Sequence, residues 1–116
     1  SNPKDAIGRT KAQIHLIPPP ALVEMAKVMG DGARKYGAYN WREASVAATV
    51  YVSAAQRHLL AFLDGEMMDP EGPGNTLHLA HAAACCAILL DAFATGNIVD
   101  DRPPPGVAAS LMRGAI

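Results

Sequence analysis

Arg57-His58-Leu59-Leu60-Ala61-Phe62-Leu63-Asp64-Gly65-Glu66 and His78-Leu79-Ala80-His81-Ala82-Ala83 are the two densest patches of a run from Tyr51 to Asp91. Three of the four histidines in the chain fall in them, and three acids, Glu66, Asp69 and Glu71, lie in the loop between. The run reads as helix, acidic loop, histidine-bearing helix. Two antiparallel helices bring those groups to one end of a helical pair, and the rest of the chain frames that pair.

The chain has 116 residues, half of them apolar and only 5% aromatic. This length predicts a single helical domain over 1–116, with 1–18 as an arm and 97–116 as a tail. Alanine-rich helices approach closely, yet each buries little area. The expectation is therefore that a second copy of the chain completes the core, in a dimer or tetramer. A net charge of −1 provides no global field for polymeric nucleic acid or a membrane surface. No run approaches the ~20 apolar residues of a membrane span, and no basic region leads into an apolar one at the start. Cys85 and Cys86 are adjacent in an expected helix, where neighbours point ~100° apart, which disfavours a mutual disulfide. Reduced cysteines suit a cytoplasmic setting, and the absence of Cys-x-x-Cys excludes a zinc ribbon.

The first long helix is expected from about Pro19 to Tyr36. Leu22, Met25, Ala26, Met29 and Ala33 follow its period, and Gly37 caps its end. Before it, Ile14-His15-Leu16-Ile17 reads as a short extended segment. The second helix is expected from about Ala44 to Asp64. Pro70, Gly72, Pro73 and Gly74 punctuate the loop. Asn75 or Thr76 is expected to cap the third helix, which closes at Gly96. Pro103-Pro104-Pro105 interrupts the tail, with a short helical turn expected near Val107–Met112. No strand pattern exceeds four residues. The fold class is thus all-α: three main helices in an antiparallel bundle, with an extended N-terminal arm and a C-terminal tail.

Two groups of residues carry chemistry. His78 and His81 are i,i+3 neighbours on one helix face. A His-x-x-His pair with nearby carboxylates could hold a transition metal, although the His-Glu-x-x-His spacing of zinc peptidases is absent. Glu66, Asp69 and Glu71 supply hard oxygens, which suit Mg²⁺ or Mn²⁺ bridging to phosphate. The bland alternative is a buried histidine network and a solvated acidic loop. The second group is Gly32-Ala33-Arg34-Lys35-Tyr36-Gly37 with Asn40-Trp41-Arg42. Its cations can hold phosphate oxygens, its aromatics can stack on a base, and Asn40 can read a base edge. Its alternative is a surface loop stapled by Trp41. Phosphate-binding glycine loops, nucleophile elbows and dinucleotide fingerprints are all absent.

These blocks, in the order Leu16-Ile17-Pro18-Pro19, Gly32–Gly37, Asn40-Trp41-Arg42, Arg57-His58, Gly65-Glu66, Asp69-Pro70-Glu71 and His78-Leu79-Ala80-His81-Ala82, resemble the phage and bacterial dATP/dGTP diphosphohydrolases of N-terminal type. The resemblance covers roughly residues 10–102. That family is usually placed near the all-α MazG-like nucleotide pyrophosphatases. The resemblance implies an oligomeric helical fold that cleaves a nucleoside triphosphate to monophosphate and pyrophosphate with Mg²⁺. It also implies the cytoplasm of a bacterial host if the chain is phage-encoded. Paired Glu-x-x-Glu and Glu-x-x-Asp helices of MazG are absent; Glu66-Met67-Met68-Asp69 has the second spacing at a helix end. Cys85 stands where the family often has Asn, four residues after His81.

The residues support two readings. In the first, a metal-dependent pyrophosphohydrolase, His58, Glu66 and His81 are catalytic, and Glu66, Asp69, Glu71 and His78 offer metal ligands. Lys35, Tyr36, Asn40, Trp41, Arg42 and Arg57 hold the nucleotide. In the second, a non-catalytic binding or assembly module of phage origin, the same histidines and acids form a buried polar network that fixes helix register.

Overall fold

Pro19 and Pro20 need no hydrogen-bond donors at the first turn of a helix, and they open α2 (Pro19–Tyr36). Gly37 ends it at φ 91°, its N–H bonded to the Ala33 carbonyl. The computed structural model describes residues 2–72 and 74–114. Pro73, expected to punctuate the loop, and Ser1, Ala115 and Ile116 of the expected 1–116 unit lie outside the described residues. Ahead of α2 come α1 (Pro3–Gly8), capped by Asn2, and a 3-10 turn at Ile14–Leu16. After it come α3 (Asn40–Glu43), β1 (Val46–Ala47), α4 (Ala48–Leu63), α5 (His78–Thr95), β2 (Ile98–Val99) and α6 (Ala108–Met112).

The two long central helices run antiparallel. Before the start of α4, Val46 pairs with Ile98 beyond the end of α5. Near the end of α4, His58 meets His78 at the start of α5. Helix α5 is the hub on which α2, α3 and α4 all pack. Its buried alanines, Ala80, Ala82, Ala84 and Ala92, lie on more than one face, so close approach from several sides is possible. The core is small: Trp41, Val46 and Ala92, with Met29, Tyr51, Ile88 and Ile98 against them.

Two carboxylates tie the connecting segments to the helices. Asp91 accepts hydrogen bonds from Trp41 Nε1 at 2.7 Å and from Arg42 Nε and Nη2 at 2.8 and 2.7 Å, which pins α3 onto α5. Asp101 accepts from the Thr49 N–H at 2.8 Å and the Thr49 hydroxyl at 2.5 Å, satisfying an orphan donor in the first turn of α4.

The class is all-α as expected, and α2 and α6 fall where the sequence put them. Three local expectations are corrected. Ile14–Leu16 is a 3-10 turn rather than an extended segment. Helix α4 starts at Ala48, not Ala44, because Val46–Ala47 pairs in parallel with Ile98–Val99. Helix α5 starts at His78 with Leu77 in the capping position and no side-chain cap. An antiparallel bridge between Met68 and Leu77 keeps the chain extended to that point, and the Thr76 hydroxyl turns to His81 instead. Against the expectation that no run approaches a membrane span, α5 is long and apolar enough, by length and composition, to cross one; α2, α3 and α4 pack on it, yet only 28% of it is buried.

The accessible surface is 8554 Å², against about 6,000 Å² for a folded monomer of this mass. The radius of gyration is 17.3 Å, against about 13 Å for a chain of this length. Ile7, Ile14, Leu16 and Ile17 of the arm are all exposed.

The Arg42 and then the Trp41 hydrogen bonds hold the Asp91 carboxyl down to about 2, from an ordinary 3.8. A depressed carboxyl stabilises the fold above its unfolded value and loses that contribution as pH falls through the folded one. The melting temperature of Asp91→Asn is therefore expected below that of the parent from pH 7 down to about 4. The gap should narrow between pH 3.8 and about 2. Thermal melts of both proteins across that range check it.

Candidate functional site

The bridge between Met68 and Leu77 folds the acidic loop back over the start of α5. The Asp69 N–H bonds the Thr76 carbonyl at 2.9 Å and the His78 N–H bonds the Met67 carbonyl at 3.2 Å. This delivers Asp69 and Glu66 to the histidines of two helices. His58 from α4 stacks on His81 from α5, with ring centroids 4.6 Å apart and planes 12° from parallel. His58 Nδ1 lies 2.9 Å from His78 Nδ1, and His78 Nε2 lies 2.7 Å from Glu66 Oε1. His81 Nε2 is 2.9 Å from Thr76 Oγ1 and 3.4 Å from Asp69 Oδ2.

His78 is buried, while Glu66 is half-exposed and reaches it from the solvent side. Burial lowers the pKa of both His58 and His81, favouring neutral imidazoles. For His81 the nearby Asp69 carboxylate pulls the other way. The field of Arg57 acts on His58 and that of Lys35 on His81, so both cations lie within electrostatic reach of the cluster.

His81 also forms part of the wall of a cavity of about 710 Å³ between α2 and α5, within the range of small-molecule sites, ~300–1,000 Å³. Tyr36, Tyr39, Asn40, Trp41 and Tyr51 supply its aromatic and amide lining, and mainly small and aliphatic residues of α2 and α5 supply the rest. Tyr39 takes a left-handed φ of 55°, unusual for a bulky residue. Its ring lies 5.2 Å from that of Trp41, with the Arg42 guanidinium 4.5 Å over it. Such an outlier persists where its surroundings fix it, and it places an aromatic at the cavity rim.

The structure brings His58, Glu66, Asp69, His78 and His81 together. Glu71 is exposed on the same loop, its N–H donating to Asp69 Oδ1 at 3.0 Å. Tyr36, Asn40 and Trp41 line the cavity, whereas Lys35 and Arg57 are exposed and outside its wall. Arg42 is engaged with Asp91, and that bond raises its pKa further.

Sequence reasoning missed three residues. Thr76 binds His81, Asp91 anchors the aromatic loop, and Gly72 makes room for the cluster. A Cβ on Gly72 would sit 2.9 Å from Thr76 Oγ1 and 3.7 Å from both Asp69 Oδ2 and His81 Nε2. The Gly-rich loop was visible in the sequence; that one of its glycines packs against the histidines required coordinates.

Fold and site together define an all-α protein whose aromatic-walled cavity opens onto a histidine–carboxylate cluster. A family model described as dATP/dGTP diphosphohydrolase, N-terminal, matches residues 1–102, and the chain belongs to that family. The description names a nucleotide diphosphohydrolase, hence a hydrolase. No curated protein and no solved structure gives a match.

Gly72→Ala is expected to destabilise the fold by about 1–3 kcal/mol, the usual cost of forcing a methyl into a filled site. Gly32→Ala, a control in α2 with open space around the new Cβ, is expected to stabilise by up to ~1 kcal/mol through helix propensity. Urea denaturation of the two variants separates these outcomes.

Proposed function

We propose that the chain is a nucleoside triphosphate pyrophosphohydrolase, converting a purine (d)NTP to the monophosphate and pyrophosphate with a divalent metal ion. The single observation that carries this reading is the position of His81, which belongs both to the cavity wall and to the histidine–carboxylate cluster. A base stacked among Tyr36, Tyr39 and Trp41 would direct its phosphates toward that cluster. The family membership points the same way.

Hydrolysis at the α–β anhydride adds water to the α-phosphorus and expels pyrophosphate. The protein has to position the water and stabilise charge on the phosphates. The donor set fits a divalent ion, since ligand atoms of His58, Asp69 and His81 lie within 4.8 Å of one another. An ion held there would neutralise phosphate charge and acidify water, while Mg²⁺ or Mn²⁺ would also arrive bound to the triphosphate. Glu66 accepts a hydrogen bond from His78 Nε2 and so orients the His78 ring against His58. Lys35 and Arg57 flank the cluster as phosphate partners. Arg42 acts by holding Asp91 and the aromatic loop.

The test is incubation with each (d)NTP and Mg²⁺ or Mn²⁺, followed by assay of pyrophosphate. Purine triphosphates are expected to release pyrophosphate and to quench the fluorescence of Trp41, the only tryptophan. Glu66→Gln is expected to lower turnover by roughly 10²-fold or more, with helicity and melting nearly unchanged. Absence of pyrophosphate with every triphosphate would overturn the proposal in favour of a binding or assembly module. Full turnover in Glu66→Gln would remove Glu66 from catalysis.

We also propose that the working form is a homo-oligomer, a dimer or tetramer of this chain. Supporting it, the surface exceeds that of a folded monomer by about 2,500 Å², more than the ~1,600 Å² of a standard interface. The exposed apolar residues of the arm offer the contact. Light scattering at micromolar concentration is expected to give at least twice the monomer mass of 12.1 kDa; a monomer would refute the assembly.

A further inference from the structure

The hydrogen bonds among the three histidines determine which lone pairs are free. His78 has both ring nitrogens engaged, Nε2 with Glu66 at 2.7 Å and Nδ1 with His58 Nδ1 at 2.9 Å. An ionised carboxylate only accepts, so His78 Nε2 carries a proton, and in the neutral ring its Nδ1 is the acceptor. His58 Nδ1 must then donate, which leaves the lone pair of His58 on Nε2. A half-exposed glutamate thus sets the tautomer of an imidazole one ring further in. Metal-bound imidazoles are held in the same way, by a hydrogen bond from the nitrogen that does not touch the ion.

Beside this hydrogen-bonded line, three donors converge. His58, Asp69 and His81 each contribute one ligand atom, and these atoms lie within 4.8 Å of one another. Ligands ~2.1 Å from a common ion are separated by at most ~4.2 Å, so modest side-chain rotation closes the set. An ion between His81 and Asp69 replaces the 2.9 Å contact of His81 with Thr76 and the 3.4 Å contact with Asp69. The acids that looked like an oxygen cage in the sequence do not form one: Glu66 is turned to His78, and Glu71 faces solvent.

We infer that His58, Asp69 and His81 form a site for one first-row transition-metal dication, Mn²⁺, Fe²⁺, Co²⁺ or Zn²⁺, with Glu66 and His78 as its outer hydrogen-bonded shell. Two imidazoles and one carboxylate suit such ions, whereas Mg²⁺ favours oxygen ligands and retains its waters. Three protein ligands leave coordination positions open for water or a phosphate oxygen. His78 is a positioning residue here, since neither of its nitrogens is available to an ion. The site stands or falls on metal binding alone, whether or not a triphosphate is hydrolysed.

Titration of the metal-stripped full chain with Co²⁺ provides the test, followed by visible absorption, calorimetry and elemental analysis without nucleotide. One Co²⁺ per chain is expected, displaced by Zn²⁺ but not by millimolar Mg²⁺. Asp69→Asn, which keeps the side-chain shape, and His81→Gln should each abolish saturable binding. Glu66→Gln should weaken affinity by about 10–100-fold although Glu66 touches no ion, the usual effect of losing an outer-shell partner. Circular dichroism verifies the fold of each variant; should His81→Gln not fold, Asp69→Asn decides alone. Absence of saturable Co²⁺ binding, unchanged affinity in Asp69→Asn, or displacement by equimolar Mg²⁺ would overturn the assignment. A strong thiolate-to-cobalt band would also overturn it, by handing the ion to Cys85, which shares the cavity wall with His81.

Discussion

Asp91 is the only acid on α5, and its two oxygens receive three hydrogen bonds from the adjacent residues Trp41 and Arg42. That anchor is the side-chain link that fixes α3 directly against α5. With it, Trp41 is drawn into the small core beside Ala92, Tyr39 is held at the rim, and one side of the cavity acquires its aromatic wall. The Asn97 side chain adds a bond to the Arg42 carbonyl at 2.9 Å, locking the same turn from the far end of α5. The aromatic wall of the cavity thus depends on one carboxylate that contacts neither the histidine cluster nor the acidic loop.

The opposite side depends on a different device. The acidic loop carries no helix, yet it is ordered where it matters by two backbone bonds across the Met68–Leu77 bridge. Those bonds place Asp69 beside His81 and Glu66 beside His78. The result is a hydrogen-bonded line from solvent-facing Glu66 through buried His78 to His58. The described residues leave no buried side-chain polar atom without a partner, so the histidine–carboxylate cluster is a satisfied polar network.

Much of this was legible in the sequence. The helix boundaries at Pro19, Gly37 and Gly96 come from proline and glycine chemistry. The meeting of His58 with His78 and His81 comes from antiparallel helices around a loop. Other features depend on distant partners. Val46–Ala47 is too short for any pattern, and it is extended only because Ile98–Val99 lies beside it. Thr76 has the composition of a helix cap, but tertiary contact with His81 outcompetes that local role. Arg42 looked like a phosphate ligand because its neighbours are aromatic and cationic; its acid lies far along the chain, on a helix whose other residues give no hint of it. Residue types near a site are readable from sequence, whereas their division between ligand and scaffold is set by contacts remote in the chain.

The bond between Asp101 and Thr49 makes the start of α4 depend on a segment that follows α5. The first turn of α4 takes its cap from a residue beyond β2, so the helix that carries His58 is not finished until the chain has passed Asp101. The family match ends one residue later, at 102. A protein cut back to Asn97 keeps every histidine and every acid of the cluster, but it loses both the strand partner of β1 and the cap of α4. The three prolines and α6, which lie beyond Arg102, supply neither. Residues 98–101 are thus tied into the fold by β1 and by a helix that begins about fifty residues earlier.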